Sequence, residues 1–226
     1  MEIITQAIKR GLKNLSESAS KQVLAAYGIP VTREFVVKSM EAAVEKAESI
    51  GYPVALKASG EDVLHKTESD WIILDLKDHQ QVKTAYTDLM FRNDAAFEEV
   101  LVQQMVKGNR ELMVGLKRDP QFGPCVLFGI GGVLTEILDD ICIRVAPLER
   151  LDAMDMLEDI RGKKILDAFR DKPPVDREAL ADILMAVGRI GLEHADILEI
   201  DINPLKLSNG KPIAVDALII FRAKGK

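Results

Sequence analysis

Three oxygen-bearing side chains near the end of the sequence have the types and spacing of a divalent-metal site. Asp201 and Asn203 are two positions apart in the apolar run Glu199-Ile-Asp-Ile-Asn-Pro-Leu205, and Asp216 ends the run Pro212-Ile-Ala-Val-Asp. Side chains alternate along a strand, so Asp201 and Asn203 would share one face. Carboxylate and amide oxygens suit Mg²⁺, whose other ligands would be phosphates. Polar residues at the solvent edge of a strand pair give the same pattern, so both interpretations stay open here.

A β-hairpin is the element that would position these residues. Ser208-Asn-Gly-Lys211 separates two runs rich in branched residues. Asn-Gly supplies the positive φ angles that a two-residue turn needs. The sequence therefore predicts a hairpin in which Asp216 can lie beside Asn203 across the turn.

Lys57 and His65 are candidate groups for phosphate chemistry. Lys57 ends the apolar run Pro53-Val-Ala-Leu-Lys, where a flexible cation can reach a phosphate. His65 lies in a polar loop, and a neutral imidazole can act as a nucleophile toward phosphorus or as an acid–base group. A solvent-facing lysine and a surface histidine are the alternative interpretations.

A glycine cluster and a strand-end acid complete the candidates. Gly129-Ile-Gly-Gly132 matches neither the dinucleotide fingerprint nor the P-loop, so it indicates a turn with positive φ or a close backbone approach. Glu111 opens a predicted strand, where a carboxylate can accept hydrogen bonds from a ribose or help to hold Mg²⁺. An exposed strand-end acid would look the same.

Composition limits the class of protein. The 226 residues are 47 % hydrophobic and 29 % charged, enough for one large or two small domains. The net charge is −6 and Lys and Arg form no block, which argues against nucleic-acid binding. Without a long apolar run or a signal-peptide pattern, we expect no membrane association and a cytoplasmic location. Cys125 and Cys142 lie in apolar runs and are expected to be buried, reduced thiols.

The order of elements predicts an α+β fold. Strands and helices alternate through the first hundred residues, and the second half combines strands with a long helix from Asp176 onward. We expect a lead-in over residues 1–17 and two lobes, 18–106 and 107–226. A ligand would lie between the lobes.

Taken in order, these motifs resemble the ATP-grasp β subunit of ADP-forming acyl-CoA synthetases, whose relatives include the nucleotide-binding half of succinate-CoA ligase. The resemblance covers about residues 18–222. The segments that carry it are 53–57, 64–67, 101–105, 110–115, 117–124, 129–132, 144–148, 201–205 and 214–216.

The resemblance implies an ATP-grasp fold of two lobes with the nucleotide, ATP or ADP, between them. It implies interconversion of acyl-CoA, ADP and phosphate with the free acid, CoA and ATP. The resemblance also implies a role for each site residue. Around the nucleotide, Lys57 contacts phosphates, the backbone of Gln103, Gln104, Met105 and Val106 meets the adenine, and Glu111 faces the nucleotide. Asn203 and Asp216 hold Mg²⁺, His65 relays the phosphoryl group, and Asp201 lies near the phosphohistidine.

The resemblance also implies a partner, the CoA-binding α subunit of the same synthetase, so that this acid–thiol ligase is active only as a hetero-oligomer. Two positions depart from the family pattern. Ser69-Asp-Trp71 replaces a Gly-Gly pair, and Ala217-Leu218 replaces Ala-Arg. The alternatives are an ATP-grasp carboxylate ligase that uses an acylphosphate, and a nucleotide-sensing module without catalysis.

Overall fold

The computed structural model describes residues 1–59, 71–91, 99–132 and 140–222, which form two compact units. The larger unit contains residues 1–31 and 106–226, and the smaller unit contains residues 32–105. The boundary after Met105 lies one residue before the predicted boundary between the lobes.

The helices are α1 (Glu2–Arg10), α2 (Glu17–Ala26), α3 (Met40–Ile50), α4 (His79–Phe91), α5 (Arg150–Asp159) and α6 (Arg177–Glu193), with a short 3₁₀ helix at Lys163–Leu166. The strands are β1 (Glu34–Val37), β2 (Val54–Ser59), β3 (Ile72–Leu76), β4 (Glu99–Gln104), β5 (Glu111–Asp119), β6 (Gly123–Ile130), β7 (Ile141–Val145), β8 (Ile197–Ser208), β9 (Lys211–Ala214) and β10 (Leu218–Phe221). Among these described helices, none has the length and apolarity needed to cross a bilayer.

The smaller unit is an antiparallel four-stranded sheet in the order β1-β4-β2-β3, with α3 and α4 packed on one face. Val54 and Leu56 of β2 point toward these helices together with Val100 and Val102 of β4. Ala55 and Lys57 alternate with Val54 and Leu56 along β2 and therefore belong to the opposite face.

Local capping signals set the limits of α3 and α4. The Ser39 hydroxyl accepts the N–H of Ala42 at the start of α3, and Gly51 ends that helix with a φ of 91°. Asp78 accepts the N–H of Gln81 before α4. Serine, aspartate and glycine are the residue types that favour these positions, so residues adjacent in sequence set the helix ends.

The larger unit is built on an antiparallel sheet in the order β10-β8-β5-β6-β7, and β9 extends it by pairing with β8. Helix α6 packs on one face, where Leu184 and Val187 are fully buried with Phe128 of β6. Gly191 allows a close approach of helix and sheet, because a Cβ there would lie 2.3 Å from a Leu116 methyl group.

Residues 18–31 differ from the predicted division, because they belong to the larger unit rather than to the first lobe. Val23, Leu24 and Ile29 lie in the larger unit's core. The Ala214 N–H donates to the Pro30 carbonyl at 2.9 Å, which ties this segment to β9. The lead-in, whose structure the sequence left undefined, contains helix α1.

Candidate functional site

The predicted hairpin is present in the larger unit. Strands β8 and β9 pair antiparallel, with Ser208 opposite Lys211. The two turn residues, Asn209 and Gly210, have φ angles of 50° and 80°. Both values are positive, as a type I′ turn requires. The Asn-Gly prediction is therefore confirmed.

Asp201 and Asn203 lie on one face of β8. Both are partly exposed and alternate with the buried Ile200 and Ile202, which face the core. Asp201 lies opposite Gly115 of β5 and Leu218 of β10, near the middle of the sheet. The strand therefore presents a carboxylate and an amide together on the face opposite the core.

Asp216 lies in the segment that links β9 to β10, two residues beyond the end of the hairpin strand. The Val215 N–H donates to the Pro204 carbonyl at 3.1 Å, so this link runs alongside β8 next to Asn203. Asp216 Oδ1 accepts the N–H of Ala217 at 2.7 Å, which orients the carboxylate.

The glycine cluster connects Glu111 with Asn203. Gly131 donates its N–H to the Glu111 carbonyl at 2.9 Å, and Gly132 donates its N–H to Asn203 Oδ1 at 3.3 Å. Gly132 has a φ of 72°, and a Cβ at this position would lie 2.4 Å from Glu111 Oε2. The turn thus has both the positive φ and the close approach that its glycines indicate, and it brings together two candidate site residues that are distant in sequence.

Lys206 is a site residue that sequence reasoning missed. Its Nζ lies 3.1 Å from Glu111 Oε1, and the two side chains are only 24 % and 29 % exposed. A strict alternation from Asn203 would turn Lys206 toward the core. The available signal was Pro204, because proline inside a strand often marks a bulge.

In the smaller unit, Lys57 and Gln103 lie on the sheet face opposite α3 and α4. Lys57 is 6 % exposed, which excludes the interpretation as a solvent-facing lysine. Gln103 is 2 % exposed, and its side-chain amide donates to Glu34 Oε2 at 3.1 Å. The Gln103 side chain is therefore held within the sheet.

The segment predicted to meet an adenine divides at the end of β4. Gln103 pairs with both Glu34 and Ala55, so its backbone belongs to the sheet ladder. The Gln104 N–H donates to the Arg33 carbonyl at 2.9 Å. Met105 and Val106 follow the strand, beyond its last residue.

The larger unit's donor set fits a hard divalent cation. Asn203 Oδ1 and the Asp216 carboxylate are oxygen donors, and each is oriented by a backbone N–H. An amide oxygen has two lone pairs, so Asn203 can accept from Gly132 and still offer an acceptor. His65, the predicted relay, lies outside the described residues.

A family model described as an ATP-grasp domain matches residues 6–221. The chain belongs to the ATP-grasp family. This membership confirms the α+β ATP-grasp fold predicted from the sequence.

Two relatives of this chain are named as an acetate–CoA ligase subunit and an acetyl-coenzyme A synthetase. It is 40 % identical over 225 residues to the acetate–CoA ligase [ADP-forming] I subunit beta of Pyrococcus furiosus, covering 97 % of each chain. It matches acetyl-coenzyme A synthetase 1 of Ca. Korarchaeum cryptofilum in complex with coenzyme A and Ca-AMPCP with a TM-score of 0.93 and 40 % identity, covering 98 % of this chain and 99 % of the other.

A second structure of the Korarchaeum enzyme contains coenzyme A and Mg-AMPPCP. It is described with its phosphohistidine segment pointing towards the nucleotide binding site. The TM-score is 0.87 at 39 % identity, over 98 % of this chain and 99 % of that one.

Proposed function

We propose that this chain is the nucleotide-binding β subunit of an ADP-forming acyl-CoA synthetase. The enzyme converts an acyl-CoA, ADP and phosphate into the free acid, CoA and ATP, and the reaction is reversible. The observation that carries this proposal is the end-to-end likeness to a relative named as an acetate–CoA ligase β subunit, over 97 % of both chains.

The larger unit supplies the metal ligands in this proposal. Asn203 and Asp216 hold the Mg²⁺ of the nucleotide, and the oriented oxygens of both side chains support this role. The ion offsets the negative charge of the phosphates, which is a main requirement of phosphoryl transfer. Glu111 faces the nucleotide beside Gly132, and Asp201 assists near the phosphohistidine.

In this proposal Lys57 of the smaller unit is the phosphate-binding cation, and the adenine contact is the segment 103–106, whose last residue, Val106, belongs to the larger unit. Lys57 binds phosphate, and its burial supports this role because a desolvated ammonium interacts strongly with an anion. The backbone of residues 103–106 meets the adenine. Because the Gln103 and Gln104 backbones are engaged in the sheet, we assign the main contact to Met105 and Val106.

His65 takes the phosphoryl group from the partner α subunit, whose bond to phosphorus breaks, and passes it to a β-phosphate oxygen of ADP, which frees the imidazole again. An imidazole nitrogen is nucleophilic toward phosphorus near neutral pH, and the resulting phosphoramidate transfers its phosphoryl group readily. The Korarchaeum structure is described with a phosphohistidine segment pointing towards the nucleotide binding site, which supports phosphoryl transfer through a histidine in this family.

The partner is a CoA-binding α subunit, consistent with the β-subunit naming of the Pyrococcus relative. The test is reconstitution from purified chains, with ATP formation from acetyl-CoA, ADP and phosphate as the readout. We expect Mg-ADP binding but no ATP formation by this chain alone, and ATP formation once its CoA-binding α subunit is added.

His65→Asn is the matched variant for this assay. It should retain Mg-ADP binding and lose ATP formation in the reconstituted enzyme. Acyl-CoA formation by the chain without any partner would overturn the proposed function, and full turnover by His65→Asn would favour an acylphosphate route.

A further inference from the structure

Lys206 is a partly buried cation on the hairpin that carries the proposed metal ligand Asn203. Its contact with Glu111 joins residues directly opposite each other in the pairing of β8 with β5. Since about three quarters of each side chain is removed from solvent, the pair is less screened than an exposed surface ion pair.

A β-bulge gives Lys206 this position. Between Val114 and Leu112, β5 advances two residues, whereas the opposing β8 advances three, from Ile202 to Leu205. The extra residue lies at Asn203-Pro204. It keeps Leu205 and Leu207 in the core and turns Lys206 to the face that holds Asn203.

The two oxygens of Glu111 have different neighbours. Oε1 contacts the Lys206 ammonium, and Oε2 lies against Gly132. The N–H of Gly132 in turn holds the amide oxygen of Asn203. A continuous set of contacts therefore runs from Lys206 through Glu111 and Gly132 to the proposed metal ligand.

We propose that Lys206 is a positioning residue of the nucleotide site, which fixes the Glu111 carboxylate beside Gly132 and so preorients the carboxylate and the Asn203 amide for a metal-bound nucleoside diphosphate. This inference rests on the proposed function. Without the ammonium, the Glu111 carboxylate loses its charge partner and its fixed orientation. The negative charge of Glu111 would then repel the phosphates of the nucleotide, because no ammonium neutralises it.

A double-mutant cycle tests the inference, with the dissociation constant of Mg-ADP measured by calorimetry on the full chain. Lys206→Met should weaken binding about tenfold, the scale seen when a residue supporting a metal ligand is lost. Lys206→Arg should restore most of the affinity. Lys211→Met removes the same charge from an exposed position on the same hairpin and should bind as the wild type does.

The decisive comparison is made in the Glu111→Gln background. If Lys206 acts through Glu111, adding Lys206→Met to that background should change affinity by less than about twofold, because coupled residues are not additive. If Lys206→Met still weakens Mg-ADP binding about tenfold in the Glu111→Gln background, Lys206 contacts the phosphates directly and the positioning role is overturned. Wild-type affinity in Lys206→Met would overturn it as well.

Two controls keep the outcomes separate. Failure of the wild-type chain to bind Mg-ADP contradicts the proposed function itself, whereas failure of the cycle with a binding wild type contradicts only the inference. Thermal unfolding without ligand measures any general destabilisation. If Lys206→Met does not fold, Lys206→Gln serves in the same cycle.

Discussion

Gly132→Ala should separate the stability of the fold from the integrity of the site. A residue with a side chain in the left-handed region costs about 1–2 kcal/mol, and Gly132 has a φ of 72°. The added methyl group would also lie 2.4 Å from Glu111 Oε2, so the carboxylate must move. Because Oε2 is the far end of a flexible side chain, moving it should change the stability of the fold little. The main effect should be on ligand binding at the site.

We therefore expect Gly132→Ala to lower the free energy of unfolding by about 1–2 kcal/mol from backbone strain. Mg-ADP affinity should fall about tenfold or more, since Glu111 loses its place and the N–H that orients Asn203 shifts with the backbone. Denaturant unfolding measures the first quantity, and calorimetry measures the second.

Gly123→Ala is the matched control. Gly123 has a similar φ of 79°, but a Cβ there would have no heavy atom within 4 Å. It should show the same loss of stability with unchanged Mg-ADP affinity. Unchanged binding by Gly132→Ala, or equal weakening by both variants, would refute the reasoning.

Three further predictions concern single side chains. Phe128→Ala, at a fully buried position, should lower the free energy of unfolding by about 3–5 kcal/mol in denaturant titrations. Lys57→Met should leave the unfolding transition cooperative and weaken Mg-ADP binding about tenfold or more in calorimetry. Burial and the hydrogen bond to Glu193 raise the pKa of Tyr27 from 10.0 to about 12. The folded state then keeps the phenol proton to higher pH than the unfolded chain does. The free energy of unfolding should therefore fall as the pH rises from about 10 to about 12, and Tyr27→Phe should remove this part of the fall.

Local signals made much of the fold predictable. The Asn209-Gly210 turn and the caps at Ser39 and Asp78 depend on residues adjacent in sequence, so each could be read without knowledge of the tertiary structure. The candidate metal ligands Asn203 and Asp216 were recognisable for the same reason. They stand out as polar residues within or next to branched apolar runs.

Non-local features were not predictable in this way. The contact of Gly132 with Asn203 joins residues 71 positions apart, and no local pattern encodes it. Lys206 reaches Glu111 only because a bulge reverses the alternation of β8. Residues 18–31 belong to the larger unit because the Pro30 carbonyl accepts a hydrogen bond from Ala214 and because Val23 and Leu24 pack in that unit's core. Both contacts join segments that are distant in sequence.

The most direct test of the central claim is a crystal structure of the chain with ADP and Mn²⁺ in place of Mg²⁺, with the metal located from its anomalous signal. We expect a peak about 2.0–2.3 Å from Asn203 Oδ1 and from an Asp216 carboxylate oxygen, with the diphosphate bound to the ion. A metal and diphosphate bound elsewhere, with Asn203 and Asp216 making no contact to the ion, would contradict it.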